Sequence, residues 1–243
     1  MHTEYVNGIR IERIDGGFVE FIENGVIEKV VCMYDGTCTV FFYGKSPKAF
    51  NVGCSSYNSQ YGIPVSEDGR KLFVGSWEKG LFVYEISSGE ILWKLKGSKV
   101  TSIIVQRTYV IAKKYGSSIV KLDIDNGAVL AEIKSGTIER QFYLGNHNIL
   151  VDSIKGRLCV LNFENMSIVK DYGSKFNSKI INPTNSLSVL IQDATLQGNA
   201  LTLHGVEQEQ SSNTLKLSSQ KHFSRVIDSA FNDGSTPKVV EMV

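Results

Sequence analysis

Apolar residues in this 243-residue chain fall in short runs of five to seven, separated by clusters of Gly, Asn, Asp and Ser. That spacing predicts strands joined by tight turns. Three consecutive stretches, 62–99, 100–137 and 138–175, align at a step of about 38 residues. Equivalent positions keep their character: Leu72, Val110 and Ile149; Val74, Ala112 and Val151; Leu81, Ile119 and Leu158; Ile86, Ile124 and Phe163. Strands are expected at 71–76, 80–86 and 90–95, at 109–114, 118–124 and 128–133, and at 148–153, 157–163 and 167–171. Weaker leading strands precede the later two sets at 101–105 and 140–143. Asp68-Gly69, Ser88-Gly89 and Asn126-Gly127 supply turn residues that accept positive φ. The runs KLFVGSW and GLFVYEI are apolar at both alternating sets of positions, as strands covered on both faces require.

The flanks are more degenerate. Upstream, strands are expected at 9–13, 17–22, 26–34, 39–43 and 49–52, with turns at Asn24-Gly25 and Asp35-Gly36. Downstream, 186–193, 199–204 and 214–217 read as strands, 205–213 as a polar loop and 238–243 as a strand-like end. A stacked array is sticky at both ends and must be capped or closed. The expectation is an all-β protein: a closed β-propeller of about six blades, with five or seven as alternatives, some of them incomplete. It is read as one domain over 1–243, with clear blades at 62–99, 100–137 and 138–175 and degenerate ones at 1–61 and 176–243.

Two phrases carry a family resemblance. YEISSGEILWKLKG at Tyr84–Gly97 resembles the end of a blade in the quinoprotein-like and YVTN-type propellers, where a polar turn leads into a Trp-bearing last strand. VSEDGRKLFVGS at Val65–Ser76 is similar to the start of the same unit. The WD40 superfamily is the related alternative, although its Trp-Asp ending is absent: Glu85-Ile86 follows Tyr84. The resemblance implies architecture and not function, since propellers of this class include enzymes, receptors and binding scaffolds. No site is carried over from the quinone-dependent enzymes, because no matching ligand cluster occurs.

Composition narrows the function classes. A net charge of +1 provides no overall field for nucleic acid or membrane. The N-terminus lacks a basic segment followed by an apolar run, and no apolar stretch approaches the ~20 residues that span a bilayer. A cytoplasmic protein is expected. The 4 cysteines, Cys32, Cys38, Cys54 and Cys159, form no C-x-x-C pair. A two-residue turn at Asp35-Gly36 would set Cys38 opposite Met33 and Cys32 opposite Thr39, on opposite faces where they could not bond. Four reduced thiols are therefore expected.

Catalytic chemistry is not legible. His2, His147, His204 and His222 have no metal-binding spacing, and His147 reads as an exposed turn residue. No nucleophile elbow, P-loop or dinucleotide fingerprint occurs. Asp123 and Asp125 read as preparing the Asn126-Gly127 turn, and Asn165-Met166-Ser167 as a chance sequon. No catalytic residue, cofactor or metal is expected.

Blade geometry in this class of fold puts the loops after the second and fourth strands on one face and those after the first and third on the other. Sorted so, the charges separate. One face collects Trp77, Lys79, Lys113, Lys114, Tyr115, Lys155 and Arg157, with Lys96, Lys99, Lys134 and Lys175. The other collects Glu67, Asp68, Glu85, Glu90, Asp123, Asp125 and Glu164. Solvated loop charges would look the same. If functional, either end would steer an oppositely charged partner, with Trp77 and Tyr115 as apolar anchors. Trp93 reads instead as core between blades.

Three functions remain open. The first is a non-catalytic, protein-binding propeller, monomeric apart from its partner. Its most concrete form is an immunity-type inhibitor of a cognate secreted bacterial toxin, for instance a nuclease, which would meet the acidic face if basic. The second is a lyase or hydrolase with a site at the central channel, where the sequence offers only Arg140, Gln106 and Arg107. The third is nucleic-acid binding by the basic face, which interleaved aromatic and basic residues permit and the near-neutral net charge disfavours.

Overall fold

The computed structural model describes residues 2–6, 9–22, 25–33, 35–51, 65–76, 79–97, 99–116, 118–134, 141–145, 147–154, 157–174, 188–208 and 220–231. Among these, every regular element is a strand, and no helix is long and apolar enough to cross a membrane. The strands form five antiparallel sheets, and the contacts gather them into two compact units, Met1–Lys134 and Ser135–Val243.

The first unit opens with a six-stranded meander: β1 (His2–Val6), β2 (Ile9–Ile14), β3 (Gly17–Phe21), β4 (Ile27–Met33), β5 (Thr37–Phe42) and β6 (Lys45–Asn51). The second sheet holds β7 (Lys71–Ser76), β8 (Gly80–Glu85) and β9 (Ile91–Leu95), and an isolated bridge from Val65 to Leu72 stands where a leading strand would be. The third holds β10 (Val100–Val105), β11 (Tyr109–Lys114), β12 (Ser118–Asp123) and β13 (Val129–Lys134). The second unit contains β14 (Gln141–Gly145), β15 (Asn148–Ile154), β16 (Arg157–Asn162) and β17 (Ser167–Ser174) in one sheet. Its other sheet is β18 (Ser188–Gln197), β19 (Ala200–Gln208) and β20 (Gln220–Asp228). The clear repeats thus each fold as one up-and-down sheet, within a residue or two of their expected strands except that β17 runs three residues past its expected end.

Double-sided apolar strands explain how the sheets stack. In β7 and β8, Leu72, Val74 and Tyr84 face the first sheet and pack with Ile27, Val30, Val40 and Phe50. The alternate residues Phe73, Leu81 and Val83 face the third sheet and pack with Val110, Ala112, Val120 and Leu122. The middle sheet is therefore buried on both sides, and a one-residue slip would exchange its two cores rather than expose either. Trp93 from β9 joins the second of these cores, edge-on to Phe73 at a centroid distance of 6.3 Å. Its indole N–H donates to the Ile124 carbonyl at 3.1 Å, so it is the inter-sheet core residue its position suggests. The second unit repeats the scheme: Leu150, Leu158 and Val160 pack against Val189, Ile191, Leu201 and Leu203. Outer strands are wetter, with Ile91, Leu92, Val129, Leu130 and Ile168 exposed.

Several sequence expectations change. β1 and β20 were not foreseen, and the loop expected at 205–213 begins later, because Gly205–Gln208 belongs to β19. The strands expected at 214–217 and 238–243 lie outside the described residues. His147 is half-buried, not exposed, with its ring edge-on to Phe163 at 5.6 Å. The cysteine pairing is also corrected. β4 ends at Met33 and β5 begins at Thr37, so Cys32 lies directly opposite Cys38 and shares its face. The connection is one residue longer than the two-residue turn assumed. Gly36 sits at φ +93° with its N–H on the Met33 carbonyl, as three-residue hairpin loops with a glycine at the positive-φ position do.

Candidate functional site

Two turns in consecutive sheets of the first unit build a highly charged cleft. The first connects Val65 to β7. The Ser66 hydroxyl donates to Asp68, whose carboxylate also accepts the Arg70 N–H at 3.0 Å, while the Lys71 N–H donates to Ser66 Oγ at 2.9 Å. The Ser66 hydrogen bond holds the Asp68 carboxyl below its ordinary value, so it stays ionised. The second turn follows β12. Asp123 Oδ1 accepts the N–H groups of Asp125 and Asn126 at 2.9 and 3.0 Å, and Asn126 Oδ1 accepts that of Ala128 at 2.8 Å. Lys71 and Asp125 form an ion pair that joins the two turns.

Between the turns lies a cleft of about 660 Å³, lined by Glu67, Asp68, Lys71, Arg107, Asp123 and Asp125 with Ser66, Thr108 and Ile124. Four carboxylates against two cations leave it with a local charge of −2. A second cleft of about 560 Å³ adjoins it and shares Asp68. Glu85, Arg70, Lys45 and Lys48 also line it. Lys48 donates to the Ser87 carbonyl there, and the Ser87 hydroxyl donates to Glu85 at 2.9 Å. Of the acidic residues singled out in the sequence, Glu67, Asp68, Asp123 and Asp125 line one cleft, and Glu85 lines its neighbour beside Lys45, Lys48 and Arg70. Glu90 is exposed on the turn after β8, where its carbonyl accepts the Glu85 N–H. Glu164 is exposed on a turn of the second unit, its N–H on Asn162 Oδ1 at 3.0 Å. Lys71 and Arg107, which temper the cleft, were not foreseen in it. Lys71 reads as the first residue of a strand, and nothing in its run shows its ammonium reaching the next sheet.

The basic face is less continuous than its loops suggest. Trp77 and Lys155 lie outside the described residues. Lys113 is not in a loop: it sits within β11 opposite Ile119 and is only 1% exposed. The ladder continues through Lys114, which buries the residue before it. Lys114 itself is half-buried and paired with Glu132 at 3.4 Å. Arg157 is exposed but held by Asp171 at 2.7 Å, which also holds its guanidinium more firmly protonated. Lys79 and Tyr115 are exposed, with the Lys99 ammonium 6.0 Å from the Tyr115 ring centre. Among the described residues, no group of three His, Cys, Asp or Glu side chains is placed to hold a metal ion.

Antiparallel up-and-down sheets, packed face to face on one another within each unit, are the decisive observation. The fold is a β-propeller. Solved propellers superimpose on the chain. BamB from Moraxella catarrhalis matches with a TM-score of 0.57 and 14% identity, over 86% of this chain and 64% of that one. The β-propeller domain of Cps50 (Swd1) from Myceliophthora thermophila matches with a TM-score of 0.56 and 12% identity, over 91% and 74%. This propeller chain thus spans less than two thirds of the BamB chain it matches. At these identities the likeness is one of fold. No family model and no curated protein matches the sequence.

Proposed function

We propose that this propeller is a non-catalytic protein-binding scaffold that docks a basic partner on the turns of its first unit. In its most concrete form it is an immunity-type inhibitor, which covers the active site of a cognate secreted toxin of nuclease type. The observation that carries the reading is the cleft of charge −2 formed by Glu67, Asp68, Asp123 and Asp125. A rigid sheet edge that presents fixed carboxylates complements a lysine- or arginine-rich surface. Nuclease domains bind polyphosphate and so carry such a surface. The turns support the charge without flexing, because Asp68 and Asp123 are locked by backbone N–H groups.

The test separates the charge from the scaffold. Asp68 and Asp123 hold their turns, so they are left intact, and Glu67→Gln is combined with Asp125→Asn, whose largely exposed pair with Lys71 contributes little to stability. Tagged wild-type and variant proteins are used to capture partners from the native host. The expected result is a basic protein retained by the wild type and at least tenfold depleted on the variant. Equal retention by both would move the contact away from this cleft. Recovery of no partner by the wild type would remove the binding reading altogether. Inhibition of the recovered protein's own nuclease activity tests the immunity form.

A further inference from the structure

Cys32 in β4 and Cys38 in β5 are cross-strand partners with both side chains fully buried. The Cys32 thiol lies 2.8 Å from Cys38 Sγ, in hydrogen-bond contact. The pair cannot drift in register. Cys32 is also opposite Phe18 of β3 and Cys38 opposite Phe50 of β6, so both strands are held from their outer sides. Directly opposed residues in an antiparallel ladder have Cα atoms about 4.5–5.5 Å apart, inside the window of about 4.4–6.8 Å that a disulfide spans. The sulfurs need to approach by about 0.8 Å to reach bonding distance. Side-chain rotation is enough for that.

We propose that Cys32 and Cys38 are a redox modification site that closes to a reversible disulfide within the first sheet. The oxidant is itself a disulfide: oxidised glutathione, or the active-site disulfide of a thiol–disulfide oxidoreductase. One cysteine thiolate attacks a sulfur of oxidised glutathione, whose S–S bond breaks and releases one glutathione thiolate. The second cysteine thiolate then attacks the protein sulfur of the mixed disulfide. The Cys32–Cys38 bond forms and the second glutathione thiolate leaves. Two electrons pass to glutathione, and the two protons given up by the cysteines end on its two thiols.

The surroundings set when this happens. Both sulfurs sit in the apolar core with Phe18, Val30, Val40 and Phe50, closed over by Leu72 and Val74 of the next sheet. Burial pushes the Cys32 thiol well up, and the hydrogen bond with Cys38 and the buried Glu20 carboxylate add to it. Thiolate is therefore scarce in the packed protein. Closure belongs to folding or to transient opening of the β4–β5 hairpin, and the same packing then shields the bond from reductants.

The test uses the whole chain, refolded from urea in glutathione buffers of graded poise and quenched by alkylation. Trypsin releases both residues in one peptide, 30–45, which contains no other cysteine. In oxidising buffer that peptide is expected to escape alkylation and to weigh two hydrogens less than its reduced form. Cys54→Ala and Cys159→Ala should leave this unchanged, and Cys38→Ala should abolish it. The oxidised protein should melt about 5 °C higher than the reduced one. A fully alkylated 30–45 peptide at every poise, or a link to Cys54 instead, overturns the proposal. Both readouts use wild-type protein, so poor folding of Cys38→Ala does not blur the result.

Discussion

Gly127 shows how one residue ties a surface turn to the core. It adopts φ +73°, and a Cβ placed there would lie 2.5 Å from Cε3 of Trp93. That ring cannot step aside, since it is buried against Phe73 and its N–H is bound to the Ile124 carbonyl. Gly127→Ala therefore meets two costs, left-handed backbone strain and overpacking, together about 2–4 kcal/mol. Gly116 is the internal comparison, with φ +71° and nothing within 4 Å of its would-be Cβ. Gly116→Ala should lose only the backbone part, about 1–2 kcal/mol. Urea midpoints at constant slope measure both, and equal losses would show that Trp93 yields more easily than its contacts imply.

At the scale of elements, the outermost strands of the second unit are pinned by charge. Lys170 and Tyr172 of β17 both reach Asp228 at the end of β20, at 2.6 and 3.0 Å, and the Ala230 N–H adds a third bond at 3.0 Å. Burial alone would push the Asp228 carboxyl up, but the Lys170 ammonium and the two hydrogen bonds outweigh it and hold the carboxyl below its ordinary value. Burial, reinforced by the same carboxylate, pushes the Tyr172 hydroxyl up, so it stays a donor. A carboxyl depressed by folding adds stability above its unfolded value of about 3.9, and the gain disappears as pH falls through its folded value. Asp228→Asn should cost about 1–3 kcal/mol at pH 7. The gap to wild type should narrow as pH falls below the unfolded value and on through the folded one, read from urea midpoints along that series; a gap that stays unchanged in acid would exclude the linkage. This strand also marks the limit of what the sequence discloses. β7, β8, β11 and β12 are legible because both their faces are apolar, a pattern that few other contexts produce. β20 alternates charges with isolated apolar residues and takes its place from partners far along the chain. Cys32 and Cys38 were misplaced because register depends on a turn one residue longer than Asp35-Gly36 suggests. Lys113 fell inside the expected strand 109–114 yet was also counted among the loop charges, and the ladder that buries it decides for the strand. The acidic cleft was legible residue by residue, since Glu67, Asp68, Asp123 and Asp125 sit in turns whose side is fixed by strand order. What tempers it, Lys71 and Arg107, was not.

For the molecule as a whole, a net charge of +1 means that the total field does not steer partners. Steering, if present, comes from the local −2 of the cleft, which acts only over about one Debye length, ~8 Å at physiological salt. That separates rate from lifetime in any complex formed there. Rim carboxylates speed encounter, while buried contacts set how long the complex lasts. Raising salt from 50 to 500 mM should lower the association rate of a basic partner by roughly tenfold and leave its dissociation rate nearly unchanged. The variant that combines Glu67→Gln with Asp125→Asn should start slower and respond less to salt. It should converge on wild type at 500 mM, where the cleft is screened. Stopped-flow or surface-plasmon traces across that series decide the matter. A salt-insensitive association rate in the wild type would mean that the partner meets the propeller on an uncharged surface, for which the exposed outer strands β9 and β13 are the next place to look.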